Sequence, residues 1–309
     1  MMFKISIVGA GKLGTAVAQQ LIQQNYVDII ALFDTNHDYG KARALDLQHS
    51  ISLIGGEQTV VFCQTYEGLS QSDVVVIAAG KPKQDTVGRE DLLLPNIPVV
   101  KEIALAVQKH APNSIIIVAT NPYDAMTSLV LTVTGFPRER VFGSGGLLYG
   151  SRFKALASER LTVSVRDVET VMIGGGSPRF TPVLSHTKIC GKPITEVLSF
   201  VEMGLLVKKT RLAAYEIICL LKDSAAYIAP AAAIVVLIRE IVRPSGVVIS
   251  AALQAEGEYG VYGVLNLPIR VSQSGVEQVV ALTLTEEEQY LLKEAARHIQ
   301  WLTQRMSAA

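Results

Sequence analysis

Apolar positions along the first half of the chain come in short β-branched runs separated by longer helical stretches. Lys4–Val8 predicts a strand, followed by a glycine turn and a helix that runs through Gln24. Ile29–Phe33 predicts a second strand. Val74–Ala79 and Ile115–Ala119 are further runs, bounded by Gly or Asn-Pro and without polar alternation. Runs of this kind suit strands buried on both faces of a parallel sheet. The βαβ alternation predicts an α/β fold with a doubly wound sheet.

The pattern changes after about Gly145. Residues 147–160 read as helix. Strand candidates follow at Val168–Ile173, Pro182–Ile189 and Pro193–Ile194. A long helical region spans roughly Val201–Arg239, with Pro230 expected to kink or interrupt it. Strands are expected near Val247–Leu253 and Val279–Leu284. A last helix opens at Thr285-Glu-Glu-Glu288, a capping box in which the Thr hydroxyl and Glu288 satisfy free amides. Leu291, Leu292, Ala295, Ile299 and Leu302 give that helix an apolar stripe. No repeat, linker or low-complexity segment separates the halves. The expected division is a doubly wound domain over 1–145 and an α+β domain over 146–309.

Composition narrows the partners. Hydrophobic residues make up 49% of the 309 and charged residues 18%, which suits a well-buried core. Lys+Arg (28) equals Asp+Glu (28), so bulk charge holds neither nucleic acid nor an acidic membrane. The apolar run Ile228–Ile238 is short of the roughly 20 residues a membrane span needs, and reads as a core helix. Cys63, Cys190 and Cys219 are widely separated and form no CxxC pair, so neither a metal site nor a disulfide framework is expected. The start, Met-Met-Phe-Lys, leads directly into the first strand, and a cytoplasmic chain is expected.

The first chemical signal is Gly9-Ala-Gly11-Lys12-Leu13-Gly14, between the first strand and helix. Gly9 permits the tight turn, Gly11 lets the backbone approach a pyrophosphate, and Gly14 lets helix pack on strand. The helix amino end then faces the phosphates. Asp34 ends the second strand, 20 residues after Gly14. A carboxylate there accepts hydrogen bonds from an adenosine ribose and repels a 2′-phosphate, which favours NAD over NADP. The first domain is therefore expected to be an NAD-binding Rossmann domain.

Further segments make the chain resemble the malate/lactate dehydrogenase family over nearly its whole length. They include Ala44-Leu-Asp-Leu47, Ala79-Gly80, Arg89-Glu-Asp-Leu92, Ala119-Thr-Asn-Pro122, Gly143-Ser-Gly145 and Leu221–Pro230, with Gly257-Glu-Tyr-Gly260 and Gly275-Val-Glu277 beyond them. The resemblance implies a substrate domain after the Rossmann domain, a homodimer or homotetramer, and a small carboxylate substrate. It implies that Ala79, Gly80 and Asn121 line the cofactor and substrate site. By the same resemblance Arg152 grips the substrate carboxylate, and Arg89, on a mobile loop, polarises the carbonyl. A guanidinium suits both tasks, since it holds an anion with two parallel hydrogen bonds. Lys83 stands where lactate enzymes carry glutamine and malate enzymes arginine, which suggests a substrate with a second anionic or polar group; a solvated Lys83 is the alternative. The loop Gln84–Gly88 lacks the family's Pro-Gly. Ala225 and Ala226 suggest room for a larger side group.

One part of the family pattern is missing. Its catalytic histidine falls at Gly176 in Ile173-Gly-Gly-Gly-Ser-Pro178, and the aspartate that orients it falls at Tyr149. Reducing a ketone needs hydride at carbon and a proton at oxygen, which that histidine supplies near neutral pH. His37, His49, His110, His186 and His298 all lie outside the motif, and His186 is expected only to border a strand. Three readings remain. Tyr149 fills the volume vacated at Gly176 and donates the proton, its phenol tuned by Lys83, Arg89 and Arg152. Alternatively the substrate is an imine, which carries its proton already. Or the protein binds NAD and an anion without catalysis, as a sensor or partner subunit.

Overall fold

The structure, a computed structural model, describes residues 2–81, 90–222 and 225–307. The expectations placed on Lys83, Arg89 and the 84–88 loop lie outside the described residues, as do Asp223 and Ser224.

The first half alternates strand and helix: β1 (Lys4–Val8), α1 (Lys12–Gln24), β2 (Ile29–Phe33), α2 (His37–Ile54), β3 (Thr59–Phe62), β4 (Val74–Ile77), α3 (Leu93–His110), β5 (Ile115–Val118), α4 (Tyr123–Thr134), β6 (Val141–Gly143) and α5 (Gly145–Leu161). These six strands are parallel, in the order β3-β2-β1-β4-β5-β6. β1, β4 and β5 are almost wholly buried because helices cover both faces, which is why their sequences are unbroken apolar runs. Strand order reverses between β1 and β4, and a crevice opens beyond their carboxyl ends, where such sheets bind ligands. α1 packs Gly14, Val17, Ala18, Leu21 and Ile22 inward and ends at Asn25, whose φ of 51° is a left-handed stop that asparagine tolerates.

The second half contains β7 (Val168–Glu169), β8 (Met172–Gly174), β9 (Phe180–Pro182), β10 (Lys188–Ile189), β11 (Lys192–Pro193), α6 (Ile194–Val197), α7 (Phe200–Leu221), α8 (Ile228–Val242), β12 (Ile249–Glu256), β13 (Tyr262–Ser272), β14 (Gly275–Val279) and α9 (Glu286–Ser307). β12 joins β6 antiparallel and extends the sheet through β13, β8 and β9. The same sheet therefore runs from the dinucleotide crevice to the β8–β9 hairpin.

Three expectations change. The strand expected at Pro182–Ile189 is the end of β9 and the two-residue β10, with a short turn over Leu184–His186 between them. The break in the 201–239 helical region comes at Lys222, whose φ is 60°, and not at Pro230. Pro230 sits in the first turn of α8, where its missing N–H costs nothing. The strand expected at Val279–Leu284 is only the end of β14, while β13 went unrecognised. β13 buries six consecutive residues and carries Pro268, so it shows neither alternation nor an uninterrupted β-former run. The capping box of α9 forms: Thr285 N donates to Glu288 Oε2 at 2.9 Å and Glu288 N to Thr285 Oγ1 at 3.2 Å. Its stripe buries Leu292, Ala295, Ile299 and Leu302. No helix among the described residues is long and apolar enough to cross a membrane.

Candidate active site

The glycine turn behaves as its spacing requires. Gly9 has φ +107°, and a side chain there would lie 2.5 Å from Ala79 N. One at Gly14 would lie 1.9 Å from the Gly9 carbonyl, whereas Gly11 faces open space. α1 begins at Gly11 with no side-chain cap and no acidic residue in its first turn, which holds Lys12 and Leu13. A helix amino end of this kind suits an anion. Asp34 is held by two main-chain donors, Ala10 N to Oδ2 and Asn36 N to Oδ1, each at 2.9 Å. Gly9, Gly11, Asp34, Ala79 and Gly80 line one cavity of about 520 Å³. Open space at Gly11, uncapped amides and a fixed carboxylate across the groove fit a dinucleotide.

The crevice wall is knitted between strands. Thr120 Oγ1 donates to the Ala79 carbonyl at 2.6 Å. Asn96 Nδ2 donates to the Asn121 carbonyl, and Asn96 Oδ1 accepts from Lys81 N, both at 2.7 Å. Asn121 lines a smaller cleft of about 30 Å³ and not the larger cavity; Asn96 ties it to Lys81 on the cavity wall. That cleft is lined by Asn121, Tyr149 and Gly176, three residues named from sequence, and also by Glu90, Asp124, Arg179 and His298. Arg152, partly buried on α5 one turn beyond Tyr149, is not among its lining. His186 lies in a short turn before β10, against Ser185, and takes no part in it.

The Gly174–Gly176 run is held from beneath by Asn266 on β13, which is fully buried. Its Nδ2 donates to the Gly174 and Gly175 carbonyls at 2.9 Å and to the Tyr123 hydroxyl at 3.0 Å. Above it, the Gly176 amide donates to Asp124 Oδ2 at 3.0 Å. Burial pushes the Asp124 carboxyl up, against the pull of main-chain donors and of His298. Burial, with Tyr149 and Asp124 nearby, also pushes the Tyr123 phenol well above its ordinary value.

Tyr149 is 1% exposed and stacks on Phe180, ring centroids 4.1 Å apart. Its hydroxyl accepts from Ser177 N at 3.0 Å. The expectation that Tyr149 fills the space at Gly176 needs correction. A side chain at 176 would meet Asp124 Oδ2 at 3.2 Å and Tyr123 Cε1 at 3.8 Å, while Tyr149 approaches through the neighbouring amide.

The charged rim of the cleft carries no motif of its own in the sequence. Glu90 Oε1 lies 3.0 Å from His298 Nε2 and 3.1 Å from an Arg179 guanidinium nitrogen. His298 was legible in principle, since it shares helical spacing with Leu291, Ala295 and Leu302. Glu90 and Arg179 carried no such pattern, because their pairing joins segments 89 residues apart.

Parallel strands, a glycine turn, a carboxylate fixed at the end of β2 and a polar cleft are the features of a dinucleotide-dependent oxidoreductase. Residues 3–143 match the model of the lactate/malate dehydrogenase NAD-binding domain, and residues 148–306 that of the lactate/malate dehydrogenase alpha/beta C-terminal domain. The chain belongs to the lactate/malate dehydrogenase family, and its dinucleotide is NAD. It is 35% identical over 298 residues to the malate dehydrogenase of Bacillus israeli, covering 96% of each chain. It is 34% identical over 304 residues to that of Thermomicrobium roseum, covering 98% of each. Its structure is similar to that of Cryptosporidium parvum malate dehydrogenase, with a TM-score of 0.96, 32% identity and full coverage of both chains. It is also similar to the lactate dehydrogenase of that organism complexed with lactic acid and nicotinamide adenine dinucleotide, with a TM-score of 0.94, 31% identity, and coverage of 100% and 99%.

Proposed function

We propose that this protein transfers a hydride between NAD(H) and a small carboxylate-bearing 2-oxo or 2-hydroxy acid, or the corresponding imine, with Tyr149 donating the proton that a ketone requires. The observation that carries the reading is the Tyr149 hydroxyl, which accepts from Ser177 N at 3.0 Å beside Gly176. The same hydroxyl also meets the Tyr123 hydroxyl, and a phenol that accepts a bond still has its own proton to give. The cleft volume of about 30 Å³ has room for a water, which lets the buried phenol reach a substrate oxygen in one relay.

The residues divide the remaining work. Gly9, Gly11, Lys12, Leu13 and Gly14 hold the pyrophosphate and Asp34 the adenosine ribose. Ala79, Gly80 and Asn121 position the nicotinamide end. When bound, the nicotinamide supplies or accepts the hydride. Arg152 grips the substrate carboxylate, Arg89 polarises the carbonyl and Lys83 takes a second polar or anionic group, as the family resemblance implies. The protein works as a homodimer or homotetramer, a reading supported by the large exposed side chains Phe200, Val201, Leu205, Leu212 and Tyr215 along α7. Sedimentation velocity tests that part: a monomer at micromolar concentration contradicts it.

The activity is tested by following NADH absorbance over a panel of 2-oxo acids, with and without ammonium or methylamine. Consumption of NADH with at least one acceptor is expected, and dependence on the amine identifies an imine substrate. NADH that binds but is consumed with no acceptor would make the protein a catalytically silent NAD binder instead.

A further inference from the structure

A second cavity of about 460 Å³ opens on the other side of Arg179 and His298, between the β8–β9 hairpin, α7 and α9. Arg179, Arg211, Arg297 and His298 line it, with Glu294 as its carboxylate. Two of these arginines are already matched, and so is His298. Arg297 pairs with Glu294, and Arg179 shares Glu90 with His298. Arg211 is different. It projects from α7, and one of its terminal nitrogens donates to the Phe180 carbonyl at 3.3 Å. Its Nε is buried with no hydrogen-bond acceptor among the described residues. Burial holds its pKa below the ordinary value, and among the described residues no charged neighbour offsets that. Glu287 and Glu288 stand on the adjoining groove, but Glu288 is occupied by Thr285 and Ser185.

A half-buried guanidinium without a counter-ion is costly unless an anion completes it. Its planar fork suits an oxyanion. We infer that Arg211, with Arg179 and Arg297, forms a binding site for a small oxyanion, a carboxylate or phosphate group, separate from the dinucleotide groove. The site goes beyond hydride transfer and does not depend on it. Because Arg179 and His298 line both this cavity and the cleft at Gly176, an anion here competes with Glu90 for the residues that wall the cleft.

The protein carries a single tryptophan, Trp301, stacked on His298 with ring centroids 5.4 Å apart. It therefore reports on this cavity through His298. Inorganic phosphate and succinate are titrated into the full chain at fixed ionic strength, following both calorimetric heat and Trp301 emission. A saturable response to at least one is expected, shared by both readouts. Arg211→Gln should weaken it about tenfold or more, the loss typical of a charge-assisted hydrogen bond. NADH affinity of the variant, measured in parallel, shows that it is folded. If Arg211→Gln does not bind NADH, Arg179→Gln takes its place and the same weakening is expected. No saturable response to either anion, or a response unchanged in the folded variant, overturns the site. Neither result depends on whether NADH is ever oxidised, so failure of this site and failure of the redox reading are told apart.

Discussion

Replacing Tyr149 with phenylalanine removes one oxygen from the floor of the cleft and leaves nearly everything else in place. The ring keeps its stack on Phe180 at 4.1 Å, so no cavity opens. The Ser177 amide loses its acceptor at 3.0 Å, and an unsatisfied, partly buried donor costs about 1–2 kcal/mol. For a chain of this size that lowers Tm by roughly 2–5 °C. The dinucleotide groove is built from β1, α1, β2 and β4, so NADH affinity should not move. Turnover should. A positioned general acid contributes about 10²- to 10⁴-fold, or roughly 3–5 kcal/mol of barrier, more than the stability change. The assay is kcat and kcat/KM for the best 2-oxo acid, beside NADH fluorescence titration and a thermal melt. A folded variant that binds NADH normally and turns over undiminished would refute the phenol as donor. An imine substrate gives its own signature: because it arrives protonated, Tyr149→Phe then alters turnover little.

The remaining expectations touch each other part of the site. Gly14→Ala puts a Cβ 1.9 Å from a main-chain carbonyl, so NADH titration should show binding lost and denaturation a destabilisation of about 1–3 kcal/mol. Asp34→Asn removes the charge that repels a 2′-phosphate, so the ratio of NADPH to NADH affinity should rise by about tenfold or more in fluorescence titrations. Asp124 has a carboxyl raised by burial, so its ionisation costs native stability once pH exceeds the usual carboxylate range. Asp124→Asn, which keeps an acceptor for the Gly176 amide, should therefore gain Tm relative to the parent at pH 8 and lose that gain as pH falls below that range; an unchanged difference across pH contradicts the shift. Gly176→His with Tyr149→Asp should raise 2-oxo acid reduction over the parent, although the new Cβ meets Asp124 Oδ2 at 3.2 Å and that carboxylate must shift slightly. Failure would mean that the loop carrying Lys83 has diverged too.

What could be read from sequence follows from what is local. β1, β2 and the capping box of α9 appeared with their boundaries because each is written in consecutive residues. The glycine turn and Asp34 were legible since their spacing is a property of one βαβ unit. β13 was not, because a strand buried on both faces with a proline in it has no periodic signature. Asn266 hid within that strand, although a lone amide among Val264, Leu265 and Leu267 is itself a sign of a buried polar strut. The neighbours of Gly176 were misjudged for another reason. Which side chain meets a glycine depends on the approach of separate elements, and α4 brought Asp124 and Tyr123 closer than α5 brought Tyr149. The ion pairs of Glu90 with Arg179 and His298 are likewise tertiary, joining the short turn before α3, the hairpin tip and α9.

The most direct test of hydride transfer follows the hydrogen itself. NADH deuterated at C4 of the nicotinamide is mixed with the enzyme and the acceptors of the panel, and the products are analysed by mass spectrometry. Deuterium at C2 of a 2-hydroxy or 2-amino acid is the expected result. NADH that is demonstrably bound, with no deuterium delivered to any acceptor, would contradict it.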